Sequence, residues 1–209
     1  MDNKVKTNKK KILDKRILNC KKCPGLNIPK ETMSAPGYGS FNAELFVIGQ
    51  SLHSYNLKTP NQQIPFIGNK YNINDSGILL YDILEKAGYS FKYYNLFVTN
   101  LIHCHPPNNR KSKLEEINNC KSYLMKELSL IKPSIILLLG ADVRNYFRFT
   151  PIKKGFVSLK SNNILPGTIK YFILAYHPSY ILRYGLQFKN IYMKQLIKKL
   201  KKVKKIIKQ

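Results

Sequence analysis

Acidic residues are scarce in this chain. Only 11 Asp and Glu stand against 36 Lys and Arg in 209 residues, so the net charge is +25. This imbalance predicts a polyanionic partner, most simply nucleic acid. Long apolar runs are also missing, and none reaches the roughly 18 residues that a membrane-spanning helix needs. Because no apolar signal segment follows the lysine-rich N-terminus, we expect a cytoplasmic protein rather than a secreted or membrane-bound one.

Cysteine is rare as well, with four in the chain. In a cytosolic protein, four cysteines indicate metal, cluster or thiol chemistry before disulfides. Cys20 and Cys23 form a Cys-x-x-Cys motif, while Cys104 and Cys120 follow with fifteen residues between them. Two such pairs supply four soft ligands for zinc or a [4Fe–4S] cluster, and the spacing does not separate these two. The histidines on either side of Cys104, His103 and His105, are competing zinc ligands, and four unligated buried thiols are an alternative. A thioredoxin-type redox pair is disfavoured, because Cys20 does not follow a strand and open a helix.

The positive charge is concentrated at both ends of the chain. Residues 1–16 hold seven Lys and Arg with two Asp, and residues 189–209 hold nine Lys and no acid. We predict a basic, flexible N-terminal arm over residues 1–16 and a single domain over residues 17–209. After residue 189, apolar residues recur at helical spacing, which predicts a terminal helix with one face on the core and its lysines in solvent. A helix lying on a membrane surface has a similar pattern, but no lipidation signal accompanies it.

Four short apolar runs predict the fold. Because they are almost continuously hydrophobic, they are typical of parallel strands that are covered on both faces. Helical patterns over residues 77–87 and 113–130 lie between them, and this alternation predicts an α/β protein. We expect a three-layer α/β/α sandwich around a four-stranded parallel sheet. The predicted strands are Leu45–Gly49, Leu96–Asn100, Ile135–Gly140 and Tyr171–Tyr176.

Small or polar residues follow each predicted strand. In a parallel sheet, ligands bind outside the carboxyl ends of the strands, so these residues are expected to meet at one site. They are Gly49-Gln50-Ser51, Thr99-Asn100, Gly140-Ala141-Asp142 and His177-Pro178-Ser179.

Six motifs follow one another along the chain: Cys20-x-x-Cys23, Phe46-Val-Ile-Gly49, Pro65-Phe66-Ile67-Gly68, Thr99-Asn100-Leu-Ile-His-Cys104-His-Pro-Pro-Asn-Asn-Arg110, Cys120 and His177-Pro178-Ser179-Tyr-Ile-Leu-Arg183. Together they resemble the uracil-DNA glycosylase superfamily, and most of all its iron–sulfur branch, often called family 4. The resemblance covers roughly residues 17–200 and is specific because the motifs occur together. It implies that the four cysteines hold a [4Fe–4S] cluster.

The resemblance also implies a pocket for a base. Phe66 matches the aromatic residue that stacks on an extruded base, and Asn100 matches the amide that reads its polar edge. His177 matches the histidine that stabilises charge at the base's O2 when the glycosidic bond breaks. Further predicted contacts are Gly49 and Gln50 to the base and Arg110, Ser179 and Arg183 to the DNA.

The first active-site motif departs from the family pattern. The iron–sulfur branch usually reads Gly-Glu-Ala-Pro-Gly after the first strand, whereas this chain continues from Gly49 with Gln50, Ser51, Leu52 and His53. Another branch shares the Gly-Gln start but continues with Asp-Pro-Tyr, so neither acid is present. The residue that positions the attacking water is therefore left open among Gln50, Ser51, His53 and Asp75. The favoured alternative for Asp75 is a plain N-terminal helix cap.

The sequence thus predicts a monomeric, monofunctional DNA glycosylase for base excision repair. It would hydrolyse the N-glycosidic bond of uracil, or of a related deaminated or modified base, without magnesium or a nucleotide cofactor. The alternatives are a catalytically impaired relative that binds DNA or a modified base, a zinc-stabilised basic regulator, and a covalent uracil trap. The trap is disfavoured because its arginine-rich loop motif is not evident.

Overall fold

The structure is a computed structural model that describes residues 3–52, 64–66, 75–161 and 167–209. Within these ranges the chain forms an α/β fold with six strands and six α-helices. The strands are β1 (Tyr38–Gly39), β2 (Leu45–Ser51), β3 (Leu96–Ile102), β4 (Ile135–Leu139), β5 (Val157–Ser161) and β6 (Tyr171–Ala175). The helices are α1 (Asn3–Leu18), α2 (Ser76–Lys86), α3 (Leu114–Ile131), α4 (Ala141–Tyr146), α5 (Pro178–Leu182) and α6 (Leu186–Ile207).

The four predicted strands form the centre of one sheet. The order of its strands is β1-β3-β2-β4-β6-β5, and β3, β2, β4 and β6 run parallel. In the register of β2 and β3, Gly49 lies opposite Asn100. The carboxyl ends of the central strands therefore meet at one edge, as the sequence predicted.

The expected four-stranded parallel sheet was wrong in extent, because β1 and β5 add antiparallel edges. The first has only two residues, which is too short to give a hydrophobic pattern. In β5, Val157 and Leu159 alternate with the polar Ser158, Lys160 and Ser161. An edge strand needs fewer buried side chains, so its sequence lacks the continuous apolar run that marks a central parallel strand.

Helices cover both faces of the sheet. On one face, α2, α5 and α6 pack against alternate strand residues such as Leu45 and Val47. On the other, α3 and α4 pack against the intervening residues, including Phe46 and Ile48. The predicted C-terminal stripe is seen in α6, which buries its apolar face and exposes most of its lysines. Its buried residues are Tyr192, Leu196, Leu200 and Val203.

The N-terminal residues differ from the expected flexible arm. Asn3–Leu18 form an α-helix, and Leu13 and Ile17 are buried against Tyr123 and Leu130 of α3. Because lysines dominate the sequence of this segment, the two apolar residues that pack it against α3 do not form a recognisable hydrophobic pattern. The single domain over residues 17–209 stays a prediction. No helix within the described ranges is long and apolar enough to cross a membrane.

Candidate active site

An open cleft of about 630 Å³ lies at the carboxyl ends of the central strands. Its lining takes residues from the segments that follow β2, β4 and β6, together with the start of α2. Most of the predicted site residues line it: Gln50, Ser51, Phe66, Asp75, Arg110, His177, Ser179 and Arg183. The topology of the sheet thus brings together residues that are up to 133 positions apart in sequence, from Gln50 to Arg183.

Gly49, Phe66 and Asn100 converge on one point beside this cleft. A methyl group at Gly49 would overlap the Phe66 ring and lie 2.5 Å from Asn100 Oδ1, so only glycine fits there. Asn100 is buried on β3, and its Oδ1 accepts no hydrogen bond from any described residue. A buried acceptor without a donor destabilises a fold by about 1–3 kcal/mol. An unpaired buried oxygen of this kind is expected at a site where a bound ligand supplies the hydrogen-bond donor.

Phe66 is held in an unusual backbone conformation. Its φ is 59°, in the left-handed region that non-glycine residues seldom adopt. The Tyr81 hydroxyl donates a 2.7 Å hydrogen bond to the carbonyl of Pro65 and anchors the preceding residue. A Cβ atom at Gly77 would overlap the carbonyl of Phe66, so the start of α2 packs directly against this backbone. These contacts fix the position of the aromatic ring.

The His177 ring packs beside the Phe66 ring, and both line the cleft. The two rings stack with their centroids 5.6 Å apart and their planes inclined by 30°. His177 is the N-cap of α5, and its Nδ1 accepts a 3.2 Å hydrogen bond from the backbone N–H of Ser179. The Ser179 hydroxyl lies 2.7 Å from the same Nδ1. With Nδ1 accepting the Ser179 N–H, Nε2 is the ring nitrogen that carries a hydrogen to donate.

The candidates for positioning water are partly placed. Gln50 and Ser51 end β2 and line the cleft, as does Asp75. Asp75 is also the N-cap of α2, and its Oδ1 accepts a 2.6 Å hydrogen bond from Gly77 N–H. Asp75 therefore caps α2 and also lines the cleft. His53 lies outside the described residues.

The three predicted DNA contacts differ in their surroundings. Arg110 forms a bidentate ion pair with Glu116, with Nη2–Oε1 at 2.5 Å and Nη1–Oε2 at 3.0 Å. This pairing lowers the pKa of Glu116 and raises that of Arg110. Arg183 is exposed, donates from Nε to the Ser179 carbonyl, and places its guanidinium 5.6 Å from the Tyr180 ring centroid. Arg183 is thus the more accessible of the two cations.

The four cysteines share one region of the fold. Cys20 and Cys23 follow α1, Cys104 follows β3, and Cys120 lies on α3. None forms a disulfide, and Cys104 and Cys120 are buried. Burial raises the pKa of the Cys104 thiol, and so does the charge of each of the other three thiols. Cys104 and Cys120 belong to one apolar cluster against which Cys23 packs, and Cys20 packs against the cluster that α1 forms with α3.

Each histidine flanking Cys104 has a partner outside the four cysteines, and His103 also interacts with Cys120. His103 Nε2 lies 3.3 Å from the buried carboxylate of Glu127, and His105 Nδ1 lies 2.8 Å from the carbonyl of Leu52. Burial alone would lower the pKa of His103, but the Glu127 carboxylate raises it. Among the described residues, no three His, Cys, Asp or Glu side chains form a group that would hold a single metal ion.

Several other residues line the cleft although the sequence predicted no role for them in the site. Asp142 lies just after β4, where the sequence marks it only as a polar residue at a strand end. Tyr176 and Tyr180 flank His177 in sequence, and their rings stack at 5.3 Å. Tyr180 lies inside the His-Pro-Ser motif, and its four-residue spacing from Tyr176 is the signal that could have found it. Lys111 and Asn109 also line the cleft.

Comparison with known proteins gives concordant matches. A family model described as the uracil DNA glycosylase superfamily matches residues 36–201. A "Type-4 uracil-DNA glycosylase" of Thermotoga maritima is 29% identical over 174 residues, which are 82% of each chain. A protein of the same name from Archaeoglobus fulgidus is 31% identical over 60% of this chain and 57% of its own length. A "Type-5 uracil-DNA glycosylase" of Pyrobaculum aerophilum is 26% identical over 60% of this chain and 63% of its own.

Proposed function

Because the chain belongs to the uracil DNA glycosylase superfamily, we propose that it hydrolyses the bond between uracil and deoxyribose in DNA. The product is an abasic site, the first intermediate of base excision repair. The observation that carries the proposal is the convergence of an aromatic ring, a buried unpaired amide oxygen and an imidazole at one cleft. These are the side chains of Phe66, Asn100 and His177. A base inside a duplex cannot reach such a cleft, so the target nucleotide must be flipped out.

Asn100 gives this pocket its preference for uracil. Its unpaired Oδ1 accepts the N3–H of uracil, and its amide nitrogen donates to O4. Cytosine has the reverse pattern, with an acceptor at N3 and an amino group at C4. If cytosine were bound, the Asn100 oxygen would face the acceptor N3 and the Asn100 amide N–H would face the amino group. Sites built to hydrogen-bond one base reject such a mismatch strongly.

His177 stabilises the departing base. As the bond between N1 and C1′ breaks, its electron pair moves to the uracil ring and the sugar acquires cationic character. The Nε2–H of His177 donates to O2, where much of the negative charge accumulates. A water molecule then adds to C1′ and loses a proton, and the released uracil is protonated.

Three side chains of the cleft are proposed to position that water: Gln50, Ser51 and Asp75. Asp75 is the anionic member, and a carboxylate also stabilises a cationic sugar. Asp75→Asn tests its part, with Asp82→Asn as the matched control, since Asp82 is on the same helix but pairs with Lys86. We expect slower excision from the first variant alone. Equal rates for both variants would remove Asp75 from the mechanism.

We propose that the four cysteines hold a [4Fe–4S] cluster. The set consists of four thiols with no disulfide, and Cys23, Cys104 and Cys120 share one apolar cluster with Leu26 and Ile102. The cluster would staple the segment after α1 to β3 and α3, and its contribution would be structural. Cys→Ser variants at each position should lose iron and sulfide together. Bound zinc without iron, or iron content unchanged in all four variants, would refute the assignment.

A panel of oligonucleotides tests the function itself. Strands with one uracil, hypoxanthine, xanthine, cytosine or thymine, single or paired, are incubated with the protein and then treated with alkali. Cleavage at uracil, absent at cytosine and lost in His177→Ala, is the expected result. Retarded mobility without abasic sites would instead favour a binding module. We further propose that the active species is a monomer, which light scattering of the DNA-bound protein checks.

A further inference from the structure

Four aromatic rings form a curved row that begins at the cleft. It comprises Tyr176, Tyr180, Tyr184 and Phe188, and we call it the aromatic ladder. Successive ring centroids are 5.3, 4.8 and 5.7 Å apart. The row begins at the end of β6, continues through α5 and ends in the first turn of α6. Phe156 packs against both ends of the row, at 5.7 Å from Tyr176 and 5.9 Å from Phe188.

The outer rings of the ladder are open to solvent. Tyr180, Tyr184 and Phe188 are 37%, 50% and 40% exposed. Tyr184 is tilted by 48° and 55° relative to its neighbours, so neither covers its face completely. Three large aromatic side chains in one exposed row would be a liability for a protein with no partner at this face.

The ladder is continuous with the proposed base pocket. Tyr176 and Tyr180 line the cleft itself, next to His177. Arg183 also lines the cleft, and its guanidinium lies 5.6 Å from the Tyr180 ring centroid. The row therefore begins in the cleft that the target base is proposed to enter.

The surrounding sequence is free of negative charge. Residues 143–209 contain no Asp or Glu, and they hold 16 Lys and Arg. This stretch includes the whole ladder, α5 and α6. The positive charge of this stretch attracts the phosphate backbone of DNA, and the release of counterions from the phosphates stabilises the complex.

We propose that the aromatic ladder binds unpaired bases of the DNA strand that carries the target nucleotide. This inference rests on the proposed function, because the pocket fixes where that strand runs. Aromatic rings beside a cationic groove are the means by which proteins hold single strands without reading their sequence. The protein should therefore bind single-stranded DNA through the ladder. Its affinity for duplex DNA should depend on the ladder less strongly.

The test measures binding of a uracil-free oligothymidine strand and of a matched duplex by fluorescence anisotropy. Tyr184→Ala should weaken single-strand binding roughly five- to hundredfold, as loss of one stacking partner does elsewhere, and weaken duplex binding less. Tyr184→Phe loses the 2.8 Å hydrogen bond from Tyr184 to the Tyr180 hydroxyl but keeps the ring, so it should bind like wild type. Tyr93→Ala is the control, since Tyr93 is 57% exposed and precedes β3 at the opposite end of the sheet.

Single-strand affinity that is unchanged in Tyr184→Ala and Phe188→Ala would overturn the proposal. Equal losses on single strand and duplex would overturn it as well, because they would indicate a general contact or a structural effect. Circular dichroism of each variant establishes that it is folded. Since the probe contains no uracil, a protein that excises nothing but loses single-strand binding in Tyr184→Ala would refute the proposed function and support the ladder.

Discussion

Replacing Asn100 by alanine separates recognition of the base from stability of the fold. Most buried polar side chains stabilise a protein through the hydrogen bonds that they make, whereas Asn100 Oδ1 accepts none from the described residues. Removing it abolishes an unfavourable burial of about 1–3 kcal/mol, which offsets the small cavity that alanine leaves. We therefore expect Asn100→Ala to unfold at a temperature equal to or above that of the wild type.

Excision should respond in the opposite direction. The amide is proposed to make two hydrogen bonds to uracil, at N3–H and O4, each with a net value of about 1–1.5 kcal/mol. Their loss raises the barrier by about 2–3 kcal/mol, which is roughly a 30- to 150-fold fall in kcat/KM. Single-turnover excision from a uracil-containing duplex measures the fall, and calorimetry measures the stability.

Asn95→Ala is the matched control for this prediction. Asn95 Oδ1 accepts from Ser90 N–H at 3.0 Å, and its Nδ2 donates to the Gly88 carbonyl at 2.9 Å. It precedes β3, at the opposite end of the sheet from the cleft. The control should lose stability and keep excision. An Asn100→Ala protein that excises at the full rate, or that is as destabilised as the control, would refute the reasoning.

Three further changes have defined outcomes. His177→Ala should slow excision by two orders of magnitude or more, as loss of one oxyanion donor does elsewhere, while duplex affinity persists; a full rate would exclude the proposed charge stabilisation. Gly49→Ala should abolish excision without unfolding the protein, since the added methyl overlaps Phe66, and an active variant with unchanged KM would contradict the close fit. Glu127→Gln should destabilise the fold by about 3–5 kcal/mol, because the carboxylate pairs with His103 and accepts from Gly37 N–H in the buried interior; a melting temperature like that of the wild type would show that the pair is dispensable.

The central sheet could be predicted because its strands leave an unambiguous pattern. Strands buried on both faces, such as Ile135–Leu139, must be apolar throughout, and few other elements of this length produce such a run. The edge strand Val157–Ser161 carries no such requirement, so its sequence does not reveal it. The N-terminal helix is equally hidden, because Leu13 and Ile17 are few among many lysines and their partners on α3 lie far away in sequence.

The site was predictable in composition but not in geometry. Parallel topology places strand-end residues at one edge, which is why Gly49 and Asn100 were expected to meet. Their contact with Phe66 and the unpaired state of the Asn100 oxygen depend on three-dimensional packing that no spacing rule contains. The aromatic ladder likewise joins a strand end to two helices, so its regular spacing of four residues does not correspond to a single helix.

The most direct measurement is a crystal structure of the protein bound to a duplex that contains one 2′-fluoro-deoxyuridine, whose glycosidic bond resists cleavage. The account predicts an extruded uracil whose ring lies against Phe66, with N3–H within hydrogen-bond distance of Asn100 Oδ1 and O2 near His177 Nε2. A uracil that remains stacked in the duplex, or that occupies another part of the surface, would contradict it.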